Sequence, residues 1–132
     1  MARAAHVLIV DDNADLRDAL GMLLESEGYH VVHAVDGHRA LDVLESGATV
    51  DVIILDLMMP VMDGVTFLEH KACGVHVGVP VVIFSSSPSP AVERFAGLIA
   101  IVPKLEGIEG LLAALRRAVG VELSPAEGAW HA

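Results

Sequence analysis

Five short apolar runs punctuate the chain at regular intervals, and a helix-period segment follows each of them. The runs are HVLIV (His6–Val10), HVVHAV (His30–Val35), VDVIIL (Val50–Leu55), VPVVIF (Val79–Phe84) and LIAIV (Leu98–Val102). Each has strand length, and most are apolar without alternation, as burial on both faces requires. Between them, apolar residues recur at helical spacing. Leu16, Ala19, Leu20, Leu23 and Leu24 form the first stripe, stopped by Gly28. Asp36 caps a second helix carrying Ala40, Leu41 and Leu44, stopped by Gly47. Val65 and Leu68 mark a short third helix, and a fourth covers roughly Pro90–Gly97. Ile108, Leu111, Leu112, Leu115 and Val119 make the clearest late one. Five strands alternating with five helices predict a doubly wound α/β fold, a parallel sheet covered on both faces by right-handed crossovers.

The 132 residues suit one domain, placed at residues 5–120, with residues 121–132 expected to be a flexible tail because LSPAEGAWHA has no periodicity. No apolar run is long enough for a membrane helix, and the stretch before Asp11 is too short for a signal peptide. A single cysteine, Cys73, excludes an internal disulfide framework and fits a cytoplasmic protein. The net charge of −10 argues against nonspecific nucleic-acid binding.

In an open parallel sheet, ligands gather at the carboxyl ends of the strands. Asp11 and Asp12 follow the first strand, Asp56 the third, Ser85–Ser87 the fourth and Lys104 the fifth. If the first and third strands are neighbours, Asp12 and Asp56 lie about one strand spacing apart, ~5 Å. Three carboxylates so placed repel one another and call for a cation. Mg²⁺ suits such a site, because it takes a few carboxylates and a phosphate oxygen. Lys104, ~10 Å from the third strand by strand spacing, is long enough to lean toward the cluster.

Other polar residues have plainer readings. His30 and His33 stand three apart on a strand, hence on opposite faces, and cannot share a metal. Cys73 and the methionines Met58, Met59 and Met62 read as packing residues. No glycine-rich loop follows the first strand, which argues against a nucleotide or flavin binder.

Taken together, VDDN (Val10–Asn13), Asp36–Gly37 with Ala40–Leu41, DVIILDLMMPVMDG (Asp51–Gly64), VPVVIFSS (Val79–Ser86) and Lys104 resemble the receiver domain of two-component response regulators over about Val7–Val119. The resemblance implies a flavodoxin-like receiver sheet of order 2-1-3-4-5. It implies that Asp56 is the phosphoacceptor of a histidine kinase or histidine phosphotransfer protein. It further implies that Mg²⁺ is held by Asp11, Asp12, Asp56 and the backbone carbonyl of Met58. Ser85 and Lys104 would contact the phosphoryl group. Such a domain is a signalling acceptor rather than an enzyme, either a stand-alone switch or phosphoryl shuttle signalling to an output protein, or the receiver part of a longer regulator. The Asp-nucleophile phosphatases need a second Asp two residues after the first, and Met58 occupies that place. The chain departs from the family at Ile101, where an aromatic switch residue is usual, and at Leu105, where proline usually follows the lysine. Both departures point to an altered output face.

Overall fold

The structure, a computed structural model, describes residues 4–120. The expected tail, Trp130 included, lies outside the described residues. Strands β1 (His6–Val10), β2 (His30–Ala34), β3 (Val52–Leu55), β4 (Val81–Ser85) and β5 (Leu98–Pro103) form one sheet of order β2-β1-β3-β4-β5, with every pair parallel. Helices α1 (Ala14–Ser26), α2 (Gly37–Glu45), α3 (Gly64–Ala72) and α4 (Ile108–Val119) complete the α/β architecture.

Alternate strand residues feed two cores. Val7, Ile9, Val52, Ile54 and Val82 pack with Leu20 and Leu24 of α1 and Leu111 and Leu115 of α4. Leu8, Val10, Ile53, Leu55 and Ile83 pack with Leu44 of α2 and Phe67 and Leu68 of α3 on the other face. Both faces of the inner strands are therefore covered, which is why these strands read as unbroken apolar runs. Strand order reverses between β1 and β3, and this is where the acidic residues lie.

Two expectations are corrected. The predicted helix over roughly Pro90–Gly97 is a single 3-10 turn, Pro90–Arg94, so four α-helices are formed rather than five. The chain has only residues 86–97 in which to leave β4 and enter β5. Pro88 and Pro90 lack amide donors, and Gly97 takes φ 87°. Only Val92 of this turn is buried. The second correction concerns strand starts. β3 begins at Val52; just before it the Asp51 N–H donates to the His6 carbonyl at 2.8 Å, and the Asp51 side chain accepts the His6 N–H at 2.7 Å. β4 begins after Pro80, whose carbonyl accepts from Ile53.

The apolar β5 is an outer strand, and such an edge invites pairing with another chain. Three features blunt it. The register shift opposite Val81 and Val82 leaves Ile99 as an extra residue. Arg117 donates to the Ile99 carbonyl at 3.1 Å, and Pro103 ends the strand.

His30 stacks on His6 with ring centroids 4.8 Å apart, while Gly21 of α1 passes close under His33. Cys73 caps α3 with an exposed thiol, so it is not a packing residue. Met59 and Met62 pack as expected, but Met58 is 66% exposed. Lys71 is a buried cation that periodicity did not single out. Its Nζ donates to the Val77 carbonyl at 2.8 Å, and burial lowers its pKa from the ordinary 10.5.

Between β3 and α3, Val61 sits at φ 67° with its side chain exposed. A β-branched residue is strained in this left-handed region by about 1–2 kcal/mol. Val61→Gly removes the strain but frees the unfolded chain, which returns roughly 0.4–1 kcal/mol. We expect a net gain of about 1 kcal/mol, visible as a higher urea midpoint at unchanged slope. An unchanged or lowered midpoint would show that the loop carries no strain.

Candidate functional site: an acidic cluster at the strand ends

The backbone ladders run on past β1 and β3 and hold the two buried aspartates rigidly. The Asp11 N–H donates to the Ala34 carbonyl at 3.1 Å, and the Asp56 N–H to the Val10 carbonyl at 3.0 Å. Asp11 is 3% exposed and Asp56 5%. Asp12 stands in the following turn, open to solvent. Asn13 then caps α1, accepting from the Leu16 N–H at 3.1 Å, while its own N–H donates to Asp11 Oδ1 at 2.9 Å.

One carboxylate oxygen from each of Asp11, Asp12 and Asp56 can be chosen so that all three lie within 4.8 Å of one another. This confirms the spacing expected from adjacent strands. Ser85, the fully buried last residue of β4, donates its hydroxyl to Asp56 Oδ1 at 2.8 Å. The next two serines are exposed, and Ser87 turns its backbone N–H back to Ser85 Oγ at 3.3 Å. Lys104, directly after β5, reaches across the sheet. Its Nζ lies 2.8 Å from Asp11 Oδ2 and 3.6 Å from Asp56 Oδ2. The Met58 N–H makes a long contact of 3.4 Å with Asp56 Oδ1.

Asp11, Asp12, Asp56, Ser85 and Lys104 thus converge on one place, while Ser86 and Ser87 stay exposed. Three carboxylates against one lysine leave a local charge of −2. Oxygen donors of this hardness and number suit Mg²⁺, which coordinates carboxylates and retains water or phosphate oxygens.

The loop after Asp56 is moulded around it. The Gly64 N–H donates to the Leu57 carbonyl at 3.0 Å, and a Cβ on Gly64 would sit 2.5 Å from the Asp56 carbonyl oxygen. Only glycine allows α3 to start so close to the end of β3. Asp63 caps α3 through the Thr66 N–H at 2.9 Å, and the Met62 carbonyl accepts from the Gly37 N–H at the start of α2.

One participant escaped sequence reasoning. Arg17 of α1 donates from an Nη atom to the Asp11 carbonyl at 2.6 Å, bracing the residue that Lys104 holds from the other side. No motif marks an arginine six positions after an aspartate. The contact exists only because α1 folds back over β1.

A doubly wound sheet thus carries a carboxylate triad, a hydroxyl and a lysine at its switch point. The sequence model of the response regulator receiver domain matches residues 7–116, and the chain belongs to that family. Response regulator MprA of Mycobacterium tuberculosis is 35% identical over 117 residues, which cover 86% of this chain and 50% of MprA. Transcriptional regulatory protein CpxR of Escherichia coli is 38% identical over 92 residues, covering 70% of this chain and 38% of CpxR. Among solved structures, chemotaxis response regulator CheY4 of Vibrio cholerae superimposes with a TM-score of 0.74 at 32% identity, covering 87% of this chain and 98% of that one. The chain spans half or less of the length of these two curated relatives.

Proposed function

We propose that Asp56 accepts a phosphoryl group from a phosphohistidine of a histidine kinase or histidine phosphotransfer protein, and that the receiver works in the cytoplasm as a switch or shuttle. The observation that carries this reading is the convergence of Asp11, Asp12 and Asp56 within 4.8 Å, with Lys104 bridging two of them. An Asp56 carboxylate oxygen attacks phosphorus, the phosphorus–nitrogen bond breaks, and the imidazole leaves with its electron pair. Asp11, Asp12, Asp56 and the Met58 carbonyl would hold Mg²⁺, which supplies charge neutralisation for the phosphoryl oxygens when bound. Lys104 lies beside Asp56 Oδ2 and supplies a fixed positive charge where negative charge accumulates. The Ser85 hydroxyl orients Asp56 through Oδ1 and is placed to donate to the transferred group.

In this reading the chain is a signalling acceptor rather than an enzyme, with only limited self-catalysed phosphorylation and dephosphorylation. The phosphatase alternative stays remote, because exposed Met58 stands where that mechanism needs an acid. A second reading concerns the extent of the protein. The half-length match to MprA favours a receiver that serves as one part of a longer regulator. In either case Asp56 is the acceptor we propose, and the chain's charge of −10 disfavours nonspecific nucleic-acid binding.

The test is intact-mass measurement after incubation with acetyl phosphate. One phosphoryl adduct should form with Mg²⁺ or Mn²⁺, and none with EDTA. Failure to form the adduct with either metal, or equal adduct formation in EDTA, would overturn the assignment.

A further inference from the structure

At the β2 edge of the sheet, behind the Asp11 backbone, α1, α2 and β2 enclose an open cleft of about 370 Å³. Its lining includes Arg17 and His33 on one side and Arg39, Asp42 and Val43 on the other, with Val35 between them. The chain carries only eight Lys and Arg residues against eighteen Asp and Glu, yet two of its arginines meet here.

Neither arginine is well matched. Arg17 gives one Nη to the neutral Asp11 carbonyl, and no carboxylate among the described residues lies within ion-pair distance of it. Its Nε is shut off from solvent and has no acceptor, the one such buried side-chain nitrogen or oxygen among the described residues. Buried donors are almost always satisfied, so an unsatisfied one calls for an explanation. Arg39 is largely exposed, and its nearest carboxylate oxygen, on Asp42, is 4.0 Å away, at the limit of an ion pair. With one carboxylate against two guanidinium groups, the cleft keeps an excess positive charge on a strongly acidic molecule. Val35 and Val43 add an apolar wall.

We propose that this cleft binds a small organic oxyanion, a carboxylate or a phosphate, between Arg17 and Arg39. The guanidinium fork matches both anions geometrically, because each presents paired oxygens to parallel N–H donors. The valines receive the short apolar body of such a ligand. The cleft adjoins the phosphoacceptor cluster, because Arg17 donates to the Asp11 carbonyl and Ala34 accepts the Asp11 N–H, but the proposed ligand does not depend on the assignment of that cluster.

The experiment is a titration of the metal-free, ¹⁵N-labelled protein with inorganic phosphate and, separately, with succinate, at ionic strength held constant with chloride. Binding should produce saturable shifts of the Arg17 Nε–H signal and of the Val35 and Val43 amides, with a midpoint on the order of 1 mM as befits a small ion. Arg39→Gln, an exposed substitution that leaves the core untouched, should weaken the midpoint by about tenfold. Saturation by phosphate alone identifies a phosphoryl ligand, and saturation by succinate alone a dicarboxylate. Shifts no larger than those from chloride would overturn the proposal. So would shifts confined to Ser85 and Lys104, or an undiminished response in Arg39→Gln.

Discussion

An Asp56→Asn variant will take up no phosphoryl group from acetyl phosphate and, without Mg²⁺, will be more stable than the wild-type chain. The loss of reaction follows from replacing the attacking carboxylate with an amide, which has no anionic oxygen to offer. The gain in stability follows from the local charge. Asp11 and Asp12 each place an oxygen within 4.8 Å of an Asp56 oxygen. At an effective dielectric of about 20, each pair repels by roughly 3 kcal/mol. Lys104, 3.6 Å from Asp56, returns about 5 kcal/mol on the same scale. Asp12 is exposed, so its share is reduced by solvent. The Coulomb terms then nearly cancel, and relief from burying a carboxylate is what leaves the variant ahead, by about 1–2 kcal/mol.

Removing one member of a buried ion pair normally costs stability, because its partner is left uncompensated. Here Lys104 keeps Asp11 at 2.8 Å, so no orphan charge is created. The asparagine oxygen can still accept from Ser85. Urea unfolding in EDTA should show the higher midpoint for Asp56→Asn. Adding Mg²⁺ should stabilise the wild-type chain more than the variant, since a ligand bound only by the folded state raises its stability with the logarithm of its affinity. A variant less stable than wild type in EDTA would mean that the cluster is not a repulsive one, and a full adduct on the variant would move the acceptor elsewhere.

The parts of this site that were legible in the sequence are those fixed by strand ends. Asp11, Asp56, Ser85 and Lys104 each follow an apolar run, and a parallel sheet must bring such positions to one edge. That Lys104 holds Asp11 more closely than Asp56 could not be read, because it depends on side-chain reach across β4 and β3. Arg17 was hidden for a related reason: a helix face becomes part of a site only once its crossover is folded. The Pro90–Arg94 turn shows the limit of local pattern. The stretch Pro90–Gly97 reads as a helix in sequence, but chain length and two prolines decided otherwise. Val61 at positive φ is a demand of the loop closing between Asp56 and α3, and nothing in the residue itself announces it.

The same short turn determines where phosphorylation should be felt. Beryllofluoride with Mg²⁺, used as a phosphoryl mimic, should alter amide exchange and chemical shifts over residues 85–94 and leave β5 nearly unchanged. Ser85 Oγ already donates to Asp56 at 2.8 Å and accepts the Ser87 N–H at 3.3 Å. A group added to Asp56 competes for that hydroxyl, and any movement of Ser85 is passed to the serine loop through Ser87. The segment beyond is weakly held. Val92 is its one buried residue, and the exposed Arg94–Glu69 pair at 3.1 Å contributes at most ~1 kcal/mol. Segments with few buried contacts open first.

On β5, by contrast, Ile101 packs half-buried against the core on the α2 and α3 side. An isoleucine has no hydroxyl to expose and no ring to swing inward, so its two positions differ little in surface. A ligand shifts an equilibrium only by its differential interaction with the two states. With little difference available at Ile101, we infer that the bias falls on the loop that touches the phosphoryl group directly. Ser85→Ala should therefore silence the response over residues 86–94 while the mimic still binds at Asp56. Large changes confined to β5 and α4, with residues 85–97 silent, would show that the signal travels through the strand after all.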